Sequence, residues 1–289
     1  MKKTFSVVGA GRLGASLAAA LVRRGWRLAL VVDIDAGAAR EARRLAGAGR
    51  AAAALGPSSR PGEVVIVAVP DGAVGRVAAG LARSGVDWTG RTVVHTSGRL
   101  SARALEPLRK RGARTASLHP VQTFPRRDTP LSAFKGVTWG IEGEAGAVRT
   151  AGGIVRALGG NALLLAPGDK PLYHAACVLA SNAFVALEWT AAGLFRRAGI
   201  GDGEAFRLLA PLVQGTLQNV KNLGPENALT GPVVRGDAAT VRAHLEALRD
   251  APEALGVYRV LGLRTLGLAK KRGLGPARVR TLRRLLEGR

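Results

Sequence analysis

Cysteine occurs once in these 289 residues, at Cys177. That excludes an intramolecular disulfide and any metal cluster built on thiolates. Acidic residues are scarce: 20 Asp and Glu stand against 43 Lys and Arg, a formal net charge of +23. Aromatic residues make up 4% of the chain, too few for platforms on which bases stack. The arginines are spread along the chain, although residues 270–289 form the densest basic patch. We read the charge as solvated helix faces that help attract an anionic cofactor and substrate. No nucleic-acid partner is expected; binding through the basic tail would show as a steep salt response. No run of about 18 uncharged apolar residues appears, so no membrane span is expected. The four histidines show no H-x-x-x-H or H-E-x-x-H spacing and the carboxylates do not cluster, so no metal site is expected. A G-x-S-x-G nucleophile motif and a P-loop are also missing. The first residues run directly into an apolar segment with no room for a cleavable signal, and a cytoplasmic location is expected.

What is present is concentrated first at the N-terminus. Phe5-Ser6-Val7-Val8 leads into Gly9-Ala10-Gly11-Arg12-Leu13-Gly14 and then into an alanine- and leucine-rich helical pattern. In a chain with 39 glycines the string G-x-G-x-x-G alone means little. Between a strand and a helix it reads as a dinucleotide-binding fingerprint. Gly9 permits the tight turn, Gly11 lets the backbone approach a pyrophosphate, and Gly14 lets helix and strand pack closely. The helix N-terminus then supplies N–H donors and partial positive charge.

The first half alternates strand and helix. Strands are expected at 5–8, 28–32, 64–69, 92–95 and 115–118, with helices at 36–46, 74–83 and 102–111 between them. The uninterrupted apolar run at 64–69 is the mark of a parallel strand buried on both faces. Residues 137–142, 145–158 and 162–165 read as a further β-α-β extension. Beyond about residue 170 the pattern is helical, with stops at Gly199, Gly224-Pro225, Gly231-Pro232 and Gly275-Pro276. The expected fold is therefore α/β: an N-terminal Rossmann domain with a doubly wound, mostly parallel sheet (1–166), followed by an all-helical C-terminal domain (167–289). A single helix over 172–198 is expected to open the second domain.

Several side chains at the carboxyl ends of these strands are candidates for chemistry. Asp33, about 20 residues beyond Gly14, suits a ribose 2′-hydroxyl and favours NAD, although it could equally cap the next helix. Asp35 and Arg40 lie close enough to complicate that choice between NAD and NADP. Val69 and Pro70 end a strand beside the expected ribose and nicotinamide. Thr96 and Ser97 end the next one, where their hydroxyls could hold the nicotinamide or the substrate, or cap a helix. His119 could give a proton to a developing alkoxide or amine, or be a buried histidine that orients its loop. His174, Ser181 and Asn182 form a polar stripe on an otherwise apolar helix, which suggests that they line a pocket; helix–helix hydrogen bonds are the other reading. Thr230 and Arg235 sit on a connection between helices, and Arg235 suits bidentate carboxylate binding. Asp237 caps the next helix or holds Arg235.

Taken together, Val8–Gly14, His95-Thr96-Ser97-Gly98, Ser117–Phe124, Tyr173-His174-Ala175-Ala176, Ala180-Ser181-Asn182 and Leu229–Asp237 resemble the bacterial Rossmann-like proteins that carry a C-terminal DUF2520 domain. The resemblance implies an architecture similar to ketopantoate reductases, pyrroline-5-carboxylate reductases and the 6-phosphogluconate and β-hydroxyacid dehydrogenase group, with a C-terminal domain like that of 6-phosphogluconate dehydrogenase. It also implies an oxidoreductase using NAD or NADP on a small anionic carbonyl compound, ketopantoate first, and a homodimer formed through the helical domain. A pyrroline-5-carboxylate or imine-type reductase and a non-catalytic dinucleotide sensor are the alternatives. The wider group uses a lysine on the first long helix of the second domain, with an asparagine one turn later. Asn182 is present, but Val178 stands one turn before it and Lys170 lies ahead of the expected helix, so that lysine does not carry over. His119, His174 or a water would then supply the proton.

Overall fold

The computed structural model describes residues 3–289. The chain divides into two compact units, one ending at Ser181 and one spanning Asn182–Arg289. The first is built on β1 (Thr4–Val8), α1 (Arg12–Arg23), β2 (Arg27–Val32), α2 (Ala36–Ala46), β3 (Arg50–Ala52), β4 (Val64–Val67), α3 (Asp71–Ala82), β5 (Thr92–His95), a short α4 (Glu106–Arg109), β6 (Arg114–Pro120), β7 (Thr138–Gly143), α5 (Ala145–Leu158), β8 (Asn161–Leu164) and α6 (Lys170–Ala180). The eight strands form one sheet in the order β3-β2-β1-β4-β5-β6-β7-β8. This is a doubly wound α/β sheet whose strand order reverses beside β1, where such folds take their ligands.

Neighbouring strands are parallel except for β6 and β7, which run antiparallel with His119 opposite Gly140 and Ser117 opposite Glu142. Residues 137–142 thus enter the sheet reversed, and only β7 and β8 make the expected parallel pair. Strands β4 and β5 are buried throughout, as central parallel strands must be. One face of the sheet packs Phe5, Val7, Leu17, Ile66, Leu118 and Ile154, the other Val8, Val32, Val65, Val74, Leu81 and Trp88. The alternation within β1 follows from the two-residue period of a strand.

Three expectations change, and one strand is added to those expected. Strand β3 has no apolar run and forms only by pairing with β2. The helix expected at 102–111 is one 3-10 turn, Ala102–Leu105, followed by the single turn of α4. The helix expected at 172–198 breaks at Ser181, whose backbone (φ −121, ψ −67) leaves the helical region. It therefore becomes α6 and α7 (Asn182–Arg197). The units consequently divide after α6 rather than at 166/167, because α6 is fastened to the sheet through its first residue, the buried Lys170.

The second unit is helical: α7, α8 (Asp202–Ala228, kinked at Gly224), α9 (Pro232–Arg235), α10 (Ala238–Ala247), α11 (Pro252–Lys271) and α12 (Pro276–Glu287). Its core, around Val233, Val241, Leu266, Leu282 and Leu286, joins α9 to α12. Helices α7 and α8 contribute little to it and expose Val185, Trp189, Leu212 and Leu217 to at least 60% each. Within Pro167–Arg197 an 18-residue window has mean hydropathy 1.4 and is only 6% buried, so by length and composition alone this stretch reaches the threshold for a membrane span.

Candidate active site at the carboxyl edge of the sheet

The three motif glycines are required for different reasons. Gly9 has φ +99, and a Cβ there would overlap Ala68 O; only glycine adopts that turn without strain. A Cβ on Gly14 would overlap Gly9 O and lie 3.2 Å from Ala68 Cβ, so its hydrogen is what lets α1 approach the strand. Gly11 differs. Its φ is an ordinary −66, it is exposed, and a Cβ would meet nothing within 4 Å. Neither backbone nor packing demands glycine there, so the open cradle fits a ligand pressed against the chain.

Beside this turn lies a cavity of about 500 Å³, lined by Val8, Gly9, Gly11, Val32, Asp33, Ile34, Leu55, Val69, Pro70, Val77 and Leu81 among others. Of the residues expected to hold a dinucleotide, Gly9, Gly11, Asp33, Val69 and Pro70 line it. Ala10, Arg12, Leu13 and Gly14 shape the turn behind it, Leu13 by packing against the core. Thr96 is buried at the next strand end, its N–H donating to Val67 O (3.1 Å). Asp33 accepts from Ala10 N–H (2.6 Å) and Asp35 N–H (2.9 Å). It does not cap α2; Asp35 does, accepting from Gly37 and Ala38 N–H.

A second constellation lies two strands further along. The sheet register sets His95, Ser117 and Glu142 in one row across β5, β6 and β7, all buried. Onto this row comes Lys170, fully buried, its ammonium donating to Ser97 O (2.9 Å) and to Ser117 Oγ. Burial lowers the Lys170 amine to about 8, although Glu142 and Asp71 draw it the other way. His95 donates from Nε2 to Ser101 O (3.0 Å) and accepts from Ser97 N–H at Nδ1 (3.2 Å). Burial holds it at about 4, so it stays neutral. Glu142 accepts from Ala102 N–H at 2.7 Å. Every member of the row has a partner, as buried polar groups must.

His119 sits at the open end of this row. Its Nδ1 meets Tyr173 OH at 2.9 Å. Gly140, opposite it in β7, leaves room for the Tyr173 ring, which a Cβ would meet at 2.8 Å. Burial raises the Tyr173 phenol above its ordinary range. Burial first, then the charges of Lys170 and His174, lower His119 to about 4. The rings of His119 and His174 meet edge to face, centroids 5.5 Å apart. Both close over Gly98: a Cβ there would lie 2.9 Å from His119 Nε2 and would overlap His174 Nδ1. That His174 nitrogen is buried without a hydrogen-bond partner among the described residues. The two imidazoles thus bring nitrogen atoms without hydrogen-bond partners among the described residues to the carboxyl edge of the sheet, where they can bind a polar group or pass a proton.

The other expected residues fall differently. Ser97 is buried and its hydroxyl is engaged, accepting from Arg99 N–H (3.3 Å) and Leu100 N–H (3.0 Å). It caps that turn, while its carbonyl serves Lys170. The break at Ser181 splits the polar stripe, leaving His174 and Ser181 in the first unit and Asn182, exposed, in the second. Thr230 lines a cavity of about 370 Å³ within the helical unit, with His244 and Tyr258. Arg235 ends α9, and Asp237 caps α10 by accepting from Thr240 N–H and Oγ1. Sequence reading missed Lys170, Ser117, His95, Tyr173 and Glu142. His95, Ser117 and Tyr173 stand in the motifs that carry the resemblance, and Ser117 had a further local signal in the alternation Thr115, Ser117, His119, polar at every second place in a strand whose other positions, Ala116 and Leu118, are core.

A model of a Rossmann-like domain matches residues 2–120, and one of the domain of unknown function DUF2520 matches 137–265. No curated protein matches the chain. Among solved structures, protein TM1727 from Thermotoga maritima is 25% identical and matches 93% of this chain and 99% of its own, with a TM-score of 0.73. Protein BF3122 of Bacteroides fragilis, named as an NADP oxidoreductase, is 23% identical over 92% and 98% (TM-score 0.74). A reductive aminase from Aspergillus terreus, in complex with NADPH and ethyl-5-oxohexanoate, is 18% identical over 100% and 93% (TM-score 0.63). These likenesses share the fold, and with the two domain matches in sequence order the chain is a Rossmann-like protein carrying a C-terminal DUF2520 domain.

Proposed function

We propose that the chain is an NAD(P)-dependent reductase acting on a small, carboxylate-bearing carbonyl compound, with ketopantoate as the first candidate substrate. The observation that carries this reading is the pair of imidazoles closed over Gly98, on the same carboxyl edge as the glycine cradle. The dinucleotide, when bound, supplies the hydride, and the protein supplies orientation and charge. Gly9–Gly14 would hold the pyrophosphate, with Val69 and Pro70 beside the ribose. When Tyr173 OH donates to Nδ1, His119 presents Nε2–H as a hydrogen-bond donor to a carbonyl oxygen that gains charge, and the alkoxide formed then takes its proton from water. Lys170, charged below its value of about 8, adds positive charge behind that point and favours an anionic substrate. The excess of basic residues adds longer-range attraction.

A second reading, reduction of an imine such as pyrroline-5-carboxylate, draws support from the low His119 value of about 4. A neutral imidazole has no extra proton to give, and a protonated imine brings its own. The deciding experiment follows NADH and NADPH absorbance with ketopantoate, pyrroline-5-carboxylate and related keto acids. Turnover that falls about 100-fold or more in His119→Ala supports the assignment. No turnover on any of them, with intact cofactor binding, would leave a dinucleotide sensor instead.

The partner proposed for the apolar face of α7 and α8 is a second copy of the chain. The family resemblance, which implies a homodimer, supports it, and so does the exposure of Val185, Trp189, Leu212 and Leu217 on those helices. A membrane suits the stretch less well, because it breaks at Ser181 and carries Lys170, His174, Asn182 and Glu188. Sedimentation velocity at micromolar concentration is expected to give a dimer, and Leu212→Asp to give a monomer. A native monomer would remove the proposal.

A further inference from the structure

We infer that this chain selects NAD(H) over NADP(H), and that the carboxylates of Asp33 and Asp35 enforce the choice. The inference rests on the dinucleotide-binding reading above and concerns only the ribose end of that site.

The two cofactors differ by one dianionic phosphate on the adenosine ribose. Holding it takes N–H donors or cationic side chains beyond the end of β2. The backbone donors there are already taken. Ala10 N–H and Asp35 N–H both go to Asp33, one to each carboxylate oxygen. The N-terminus of α2, a natural phosphate site, is closed by Asp35, whose Oδ1 accepts from Gly37 N–H (2.8 Å) and Ala38 N–H (3.2 Å). Four donors are thus committed to two carboxylates. A phosphate would have to displace these acids and settle beside their charge.

Cationic help is missing as well. No Lys or Arg lines the cavity, and among the described residues none forms an ion pair with Asp33 or Asp35. Arg40 lies more than a turn inside α2 and is not part of the cavity wall. Asp33 itself is half-buried, lines the cavity and is held by two hydrogen bonds. A carboxylate so placed retains lone pairs for the two ribose hydroxyls of NAD.

The remaining wall suits adenine. Ile34 is 97% exposed yet belongs to the cavity with Leu55, Val77 and Leu81. A large aliphatic side chain held in water beside an apolar slot is explained by a flat ring that covers it. The choice separates this chain from the neighbours named for NADP and NADPH.

The test measures Kd for NADH and NADPH on the purified chain by fluorescence titration at fixed salt. NADH is expected to bind at least ~100-fold more tightly, since like charges brought together across a binding site cost several kcal/mol. Equal affinity, or tighter NADPH, overturns the inference and leaves the reductase reading standing. Binding of neither overturns both. Asp33→Asn, which keeps an acceptor for Ala10 N–H but removes the charge, is expected to cut the NADH:NADPH ratio at least ~10-fold, mainly by improving NADPH. An unchanged ratio in a variant with the native circular dichroism spectrum overturns the role given to Asp33. The native ratio decides the selectivity even if that variant does not fold.

Discussion

Replacing Gly11 with valine is expected to cost the fold no more than about 1 kcal/mol, the usual loss of a good N-cap residue. The same change is expected to weaken dinucleotide binding at least ~100-fold, a loss of about 3 kcal/mol. Gly14→Ala is expected to do the reverse first, destabilising the chain by about 3 kcal/mol or more through overpacking. The two positions share one motif but not one reason. A methyl on Gly14 would overlap the carbonyl oxygen of Gly9. That atom is backbone in a turn already fixed by Gly9 N–H donating to Val32 O at 2.8 Å, so it cannot swing aside as a flexible side chain would. A Cβ on Gly11 meets no protein atom within 4 Å, so a small side chain would occupy the space a pyrophosphate needs. Urea melts and NADH titrations on both variants, run in parallel, test this. Native affinity in Gly11→Val would remove the cradle from the binding site.

That contrast marks how far the sequence alone reaches. The motif, the βα alternation and the passage to helices are written in local periodicity, and the sheet was therefore legible. Its one antiparallel step was not, because nothing between 120 and 138 states which way β7 runs; the pairing with β6 decides it. Strand β3, Arg50-Ala51-Ala52, has no apolar pattern and exists because β2 offers it an edge. The break at Ser181 lacks the glycine or proline that usually announces one.

The site was legible in part for the same reason. His119 and His174 could be picked out as rare residues at a strand end and on an apolar helix. Lys170 could not, since a lysine at the start of a helix ordinarily faces water and sits poorly with the helix dipole. Its ammonium is held by Ser97 and Ser117 and drawn by the charge of Glu142, three residues on three different segments that only the finished sheet assembles. It does open the first helix after the sheet, although not with the asparagine spacing of the related reductases.

Lys170→Met tests what that burial achieves. Methionine matches the lysine stem in length and brings no charge, so Ser117 Oγ loses its donor, Ser97 O keeps only the long bond from the Ser117 hydroxyl (3.4 Å), and Glu142 loses the nearby cation. Unpaired buried groups cost about 1–3 kcal/mol each, and relief from desolvating the ammonium offsets part of that. A net loss near 2 kcal/mol in urea melts is expected on this balance. The sharper readout is His119. Its low value of about 4 comes first from burial, which the substitution leaves in place, and next from the Lys170 charge, which it removes. The His119 value should therefore rise, stopping short of the ordinary 6.5 because burial persists. His119 is uncharged above its own pKa, so raising that pKa extends the charged form to higher pH. The acid limb of any activity that needs the neutral ring should move up with it. The same direction should appear in NMR titration of the His119 ring, which needs no substrate. A stability loss with an unmoved His119 would make Lys170 a structural fastening of α6 and nothing more. A shift in both would make it the residue that positions the Ser97–Gly98 turn and keeps the imidazole above it unprotonated.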